Sequence, residues 1–208
     1  MGSCCEDDGC AIASLLERHA NVLLTVLVIN AAMFVVEGAF GLIAHSTSLL
    51  ADSLDMLGDA LVYGLSLVAL RRSMRWQASV ALGKGAFMLA FGLGVVAEAL
   101  YKTLHPVMPD VETMRAVAVA ALASNVACFL LLYRHRGDNL NMSSTWLCSR
   151  NDLAANVGVL LAAAGSHIAG SPWPDVVVGA LIAALFSKSA VNVLAQAARA
   201  LRPPVSQS

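Results

Sequence analysis

Six stretches of mostly apolar residues follow one another along this 208-residue chain, separated by short polar interruptions. They run from about Asn21 to Ile43, Thr47 to Leu70, Ser79 to Leu100, Thr113 to Tyr133, Ser144 to Ile168 and Val176 to Ala198. A helix rises ~1.5 Å per residue, so about 20 apolar residues cross a hydrocarbon core ~30 Å thick. Lipid offers backbone groups no partners, so each stretch must satisfy its own hydrogen bonds as a helix. The expected fold is therefore all-α, a polytopic membrane protein with six transmembrane helices. A composition 58% hydrophobic and only 13% charged argues against an ordinary soluble domain.

The turn at His45-Ser46 is too short for anything but an antiparallel hairpin, and Pro106, Pro109, Pro172 and Pro174 stand where helices stop or start. Positive charge sets the orientation, because Lys and Arg near helix ends stay on the cytoplasmic side. Arg18, Arg71, Arg72, Arg75, Arg134, Arg136, Arg199 and Arg202 all fall on one side of the predicted bundle, placing both termini in the cytoplasm. The opposite loops carry Lys102 and Arg115 beside Asp110, Glu112 and Asp175. The acidic start lacks the basic, apolar and small-residue pattern of a signal peptide, so the first helix is expected to be retained in an inner, cytoplasmic membrane. Residues 1–18 read as an acidic, cysteine-bearing cytoplasmic tail, 19–200 as the six-helix transmembrane domain and 201–208 as a short cytoplasmic tail. A net charge of −1 with no basic stripe implies no nucleic-acid partner.

Ionisable groups inside a membrane helix cost at least about 2.5 kcal/mol each on insertion scales and usually mark an ion path. The second span holds the densest set, Leu50-Ala51-Asp52-Ser53-Leu54-Asp55-Met56-Leu57-Gly58-Asp59. Asp55 and Asp59 stand four apart on one helix face, with Asp52 a turn earlier on nearly the same side. Carboxylates so close in low dielectric repel each other unless a proton or a cation sits between them. The fifth span supplies a matching pair, Cys148 and Asp152, in Trp146-Leu147-Cys148-Ser149-Arg150-Asn151-Asp152. Because the two helices run in opposite directions, Asp59 is expected level with Cys148 and Asp55 level with Asp152. One thiolate and three carboxylates make the four-coordinate set that a tetrahedral divalent ion prefers. The plainer alternative is that a lone membrane Asp is a hydrogen-bonding group and a lone Cys a small packing residue.

The run from Ser46 to Asp59 resembles the second-helix signature of the cation diffusion facilitator family, in which a His or Asp is followed four residues later by Asp. Asp55 and Asp59 match that pair, and Asp152 matches the Asp of the family's fifth-helix pair, with Cys148 where His is usual. Leu82-Gly83-Lys84-Gly85 is similar to the start of the family's third helix, although Ala86 replaces its usual acid. Trp173-Pro174-Asp175 resembles the approach to its last helix. The resemblance covers all six spans and lacks the family's carboxy-terminal cytoplasmic domain.

The function these readings imply is efflux of a divalent transition metal, zinc or cadmium favoured, by proton antiport, with no prosthetic group. Cobalt, nickel, iron and lead remain compatible with the donor set. Partners are then the metal ion, protons, the lipid bilayer and a second copy in a homodimer, for which the small residues Gly85, Ala86, Ala90, Gly92 and Gly94 permit close approach. The alternatives are an intramembrane metal-dependent enzyme, against which the lack of a nucleophile and base set weighs, and a cation channel. Asn30 and Glu37, seven apart on the first span, line the site or its access route, or else bond between helices. Asn151 and Asn156 are reserve ligands, Arg150 tunes the neighbouring pair, and Glu98 and Lys188 lie near helix ends or pair within the bundle. Cys4, Cys5 and Cys10 with Glu6, Asp7 and Asp8 form either a capture site for soft metals or a plain flexible tail.

Overall fold

The computed structural model describes residues 8–69, 74–133 and 142–201, with the side chains at 8–20, 23, 65–69, 74–75, 77 and 142–151 outside that description. Six helices make up the described chain: α1 (Asp8–Ile43), α2 (Thr47–Ala69), α3 (Met74–Leu104), α4 (Val111–Tyr133), α5 (Met142–Ala169) and α6 (Trp173–Leu201). Helix α1 begins inside the segment expected to be a tail, because Ala11 to Ala20 is rich in Ala, Leu, Glu and Arg, all good helix formers. Among the described residues, five helices are long and apolar enough to cross a membrane: those in α1, α3, α4, α5 and α6. Helix α2 was expected to be a sixth span and falls short of that standard, since Asp52, Asp55 and Asp59 dilute its apolar character.

Packing explains how α2 tolerates those charges. It lies against α1, α3, α5 and α6, and its Met56 and Tyr63 also join side-chain clusters with Ala121, Cys128 and Leu132 of α4. From Thr47 to Gly58 every residue except Leu50 and Asp55 is buried. The other helices turn large apolar side chains outward instead, among them Val35, Leu93, Leu130, Leu161 and Leu185. Polar groups at the centre and aliphatic groups outside is the distribution that a lipid surround selects.

Helices α2, α4 and α6 run one way and α1, α3 and α5 the other, so the turns α1–α2, α3–α4 and α5–α6 meet at one end, here the hairpin end. The first turn is a Schellman motif: Ser46 N donates to Gly41 O at 2.9 Å and His45 N to Leu42 O at 3.3 Å. His45 accordingly sits at φ 49°, the left-handed region that usually takes glycine. Ser46 then caps α2, its Oγ accepting from Leu49 N at 3.2 Å. At α4, Asp110 plays the same part with Thr113, whose hydroxyl and amide donate to it at 2.6 and 3.5 Å. These bonds hold the Asp110 carboxyl below the usual carboxylate range.

The hairpin end is tied together by one carboxylate. Asp175, in the first turn of α6, accepts from Ser46 Oγ (2.7 Å), Thr47 N (2.7 Å), Ser48 N (3.0 Å) and Ser48 Oγ (2.7 Å). It thus occupies the positive end of the α2 dipole while satisfying amides that the helix itself leaves unpaired. Lys102 of α3 adds bonds to His45 O (2.8 Å) and Thr47 Oγ1 (3.1 Å) and pairs with Glu98 at 3.3 Å. Glu98 therefore pairs within its own helix, while Lys188 is exposed.

Close approach of α6 requires glycine at 179, where a Cβ would stand 2.6 Å from Thr47 C and 2.7 Å from Ser48 N. The small residues of α3 divide their roles. Gly85 and Gly92 face α6 of the same chain, at Leu194 and Ser187, so the close contacts they permit lie within the protomer. Ala86, Ala90 and Gly94 are exposed.

Asp175→Ala leaves two buried amides and two hydroxyls without their acceptor and is expected to cost about 3 kcal/mol. Gly179→Ala forces backbone apart and is expected to cost about 2 kcal/mol or more. Thermal unfolding in detergent measures both; losses below a few tenths of a kcal/mol would mean that the hairpin end is not so tied.

Candidate metal centre

The acidic face of α2 meets α5 in antiparallel register. Asp55 lies within hydrogen-bonding reach of Asp152. One turn toward the hairpin end, Asn156 Nδ2 donates to Asp52 Oδ1 at 3.4 Å and to the carbonyl of Asp152 at 3.0 Å. Continued one turn the other way, the same register leads from Asp59 to Cys148, whose side chain lies outside the described residues, as do those of Arg150 and Asn151. Asp55, Asp59 and Asp152 are each half-buried.

Of the four expected ligands, the structure brings Asp55 and Asp152 together. Two ionised carboxylates in this position are both acceptors, so either one keeps a proton and donates it to the other, or a cation between them turns mutual repulsion into shared attraction. Asp59 stands one turn away, within electrostatic range of the Cys128 thiol on α4. Among the described residues, no three His, Cys, Asp or Glu side chains converge tightly enough to hold a metal as they stand.

Helix α1 adds a carboxylate that the sequence left with two roles. Glu37 is fully buried and faces Asp52. Asn30 instead bonds within its own helix, its Nδ2 donating to Val26 O at 2.9 Å. Asn156, expected as a reserve ligand, is engaged with Asp52. The antiparallel pairing of α1 and α2 is fixed apolarly on either side of Asn30, with Met33 and Met56 in one cluster and Val26 and Tyr63 in another.

Two participants were not singled out by sequence reasoning. Cys128 registered only as a cysteine in an apolar run, with nothing to say that it would approach Asp59. Asn125, buried at 4% exposure with an unpartnered Nδ2, interrupts the α4 run just as the aspartates interrupt α2, and that signal could have found it.

Residues 23–202 match the cation efflux transmembrane domain. The cadmium, cobalt and zinc/H(+)-K(+) antiporter of Bacillus velezensis is 25% identical over 191 residues, 84% of this chain and 60% of that protein. The zinc transporter ZitB of Yersinia pestis is 26% identical over 201 residues, covering 88% of this chain and 64% of its own length. The Bacillus subtilis antiporter of the same description is 24% identical over 189 residues, 84% of this chain and 61% of its own. The chain thus spans about 60 to 64% of the length of these curated relatives. With the domain match extending over nearly all of the helical bundle and the α2 signature at its centre, the chain belongs to the cation efflux, or cation diffusion facilitator, family.

Proposed function

We propose that this chain carries a divalent transition metal, zinc or cadmium favoured, out of the cytoplasm in exchange for protons, with Asp55, Asp59, Cys148 and Asp152 as the ligands. The observation that carries this reading is the meeting of Asp55 and Asp152, carboxylates from two antiparallel helices inside a bundle of membrane-length helices. The relatives named as zinc or cadmium transporters and antiporters support the cargo and the exchange. All six helices cross the bilayer in this reading, α2 being shielded from lipid by its neighbours. The hairpin end faces the exterior of an inner membrane and both termini face the cytoplasm.

The chemistry follows from the donors. Carboxyl and thiol groups bind metal only after losing their protons, so metal loading releases protons and protonation releases metal. Alternation between inward-open and outward-open forms converts that competition into antiport. A sulfur ligand among carboxylates softens the site toward cadmium as well as zinc. A homodimer completes the proposal, while Cys4, Cys5 and the Cys10 side chain lie outside the described residues.

Proteoliposomes with an imposed proton gradient test the assignment directly. Zinc uptake is expected to vanish in Asp59→Ala, and transport at the wild-type rate would defeat it. Zinc affinity of the purified protein should rise with pH, by up to about tenfold per pH unit for each proton released, and a flat profile from acid to neutral would remove the proton linkage. Replacing the sulfur should harden the site. Cys148→His is expected to shift the ratio of bound cadmium to zinc, read by metal analysis, toward zinc, and an unchanged ratio would take Cys148 out of the ligand set.

A further inference from the structure

Two apolar layers join α1, α2 and α4, and a polar layer lies between them. Nearer the hairpin end Met33, Met56 and Ala121 form one cluster, and farther from it Val26, Tyr63, Cys128 and Leu132 form another. Seven positions separate Met33 from Val26, Met56 from Tyr63 and Ala121 from Cys128, about two helical turns in each case. Asn30, Asp59 and Asn125 each fall three or four positions from both members of their pair, which puts them on the same helix faces and at one depth. Asp59 is accordingly within electrostatic range of Cys128, one turn beyond Asn125. What sets Asn125 apart is its amide. The residue is 4% exposed, and its Nδ2 has no hydrogen-bond partner among the described residues. The other two buried asparagines among those residues use theirs, Asn30 on Val26 O and Asn156 on Asp52 Oδ1 and the carbonyl of Asp152. An amide that fastens helices is bonded to them, because a buried donor without an acceptor destabilises the fold. Asn125 fastens nothing through its Nδ2.

We propose that Asn125 is a positioning residue for Asp59: its Nδ2 donates to the carboxylate oxygen of Asp59 that is not bonded to the metal. The inference rests on the reading of Asp59 as a ligand. A carboxylate that binds a metal through one oxygen turns about its Cβ–Cγ bond unless the second oxygen is held, and ligating carboxylates are in turn hydrogen-bonded by their neighbours. Helix α4 contributes no ligand, yet its inner face brings an amide donor to the depth of Asp59. The Cys128 thiol one turn away is only a weak acceptor, whereas a carboxylate is a strong one. An amide also suits the task because it is neutral. Lys or Arg at this depth would oppose the incoming cation by charge, and an Asn donor holds the carboxylate without doing so.

Titration of the purified full chain with Co2+, followed by the visible ligand-field absorption of the bound ion, tests the inference without reference to transport. Asn125→Leu keeps the volume and removes the donor. It is expected to bind Co2+ about 10- to 100-fold more weakly than the wild type, the usual effect of losing a hydrogen bond to a metal ligand. The same loss is expected in Asn125→Ala, which serves should Asn125→Leu fail to fold. With Asp59→Ala already present, either substitution at Asn125 is expected to have no further effect, because the carboxylate it positions is gone. Wild-type affinity in a folded Asn125 variant overturns the proposal. Equal weakening with and without Asp59 overturns it as well, since a general loosening of the bundle acts in both backgrounds. A wild type that binds no Co2+, or binding that Asp59→Ala leaves intact, overturns the ligand reading and this inference with it. Binding that Asp59→Ala weakens and the Asn125 variants do not overturns this inference alone.

Discussion

Carboxylates cannot face lipid at a cost that a marginally stable bundle would survive, and the architecture follows from where α2 puts its own. Asp52 is fully enclosed, Asp55 and Asp59 are half-buried, and the neighbouring helices turn their aliphatic side chains outward around them. The helix least suited to lipid is therefore the one with most protein about it. Its polar face also decides its partners, because α1 brings Glu37 to Asp52 while α5 brings Asn156 to Asp52 and Asp152 to Asp55.

The hairpin end solves a different electrostatic problem. Where α2 begins, its unpaired amides and dipole are met by Asp175 of α6, and Lys102 of α3 takes the carbonyl of His45 in the preceding turn. A carboxylate held by two amides and two hydroxyls is saturated with donors, so it offers little to a passing cation. Glu37 and Asp52, farther along the same bundle, meet each other instead, with Asn156 Nδ2 on Asp52 Oδ1. The same residue type thus serves as a fastener between helix ends at one depth and as half of a buried carboxyl pair at another. Local donor supply makes the difference.

Much of this was legible in the sequence because it depends on period and length. Apolar runs of bilayer length located the helices, and spacing of four put Asp55 and Asp59 on one face. The opposite directions of α2 and α5 followed from the order of the spans, which made the approach of Asp152 to Asp55 an expectation. What stayed hidden depends on contacts between distant segments. Asp175 read as a loop charge because nothing local says that its carboxyl will find the start of α2, 127 to 129 positions away. The small residues of α3 read as a dimer surface, yet two of its glycines are used against α6 of the same chain. The early start of α1 was masked by the acidic, cysteine-rich composition that precedes it.

The order of groups along α2 is graded by the supply of hydrogen-bond donors. From the hairpin end inward come Asp175 at the helix start, then Asp52 with Glu37 and Asn156, then Asp55 with Asp152, then Asp59 near Cys128. Protein donors fill the lone pairs of the first. The second and third are carboxyl groups that meet carboxyl groups, so each pair is stable only with a proton or another positive charge between its members. The fourth has sulfur nearby. The polarity of one helix face therefore changes along its length because its neighbours change, α6 at the start, α1 and α5 next and α4 last.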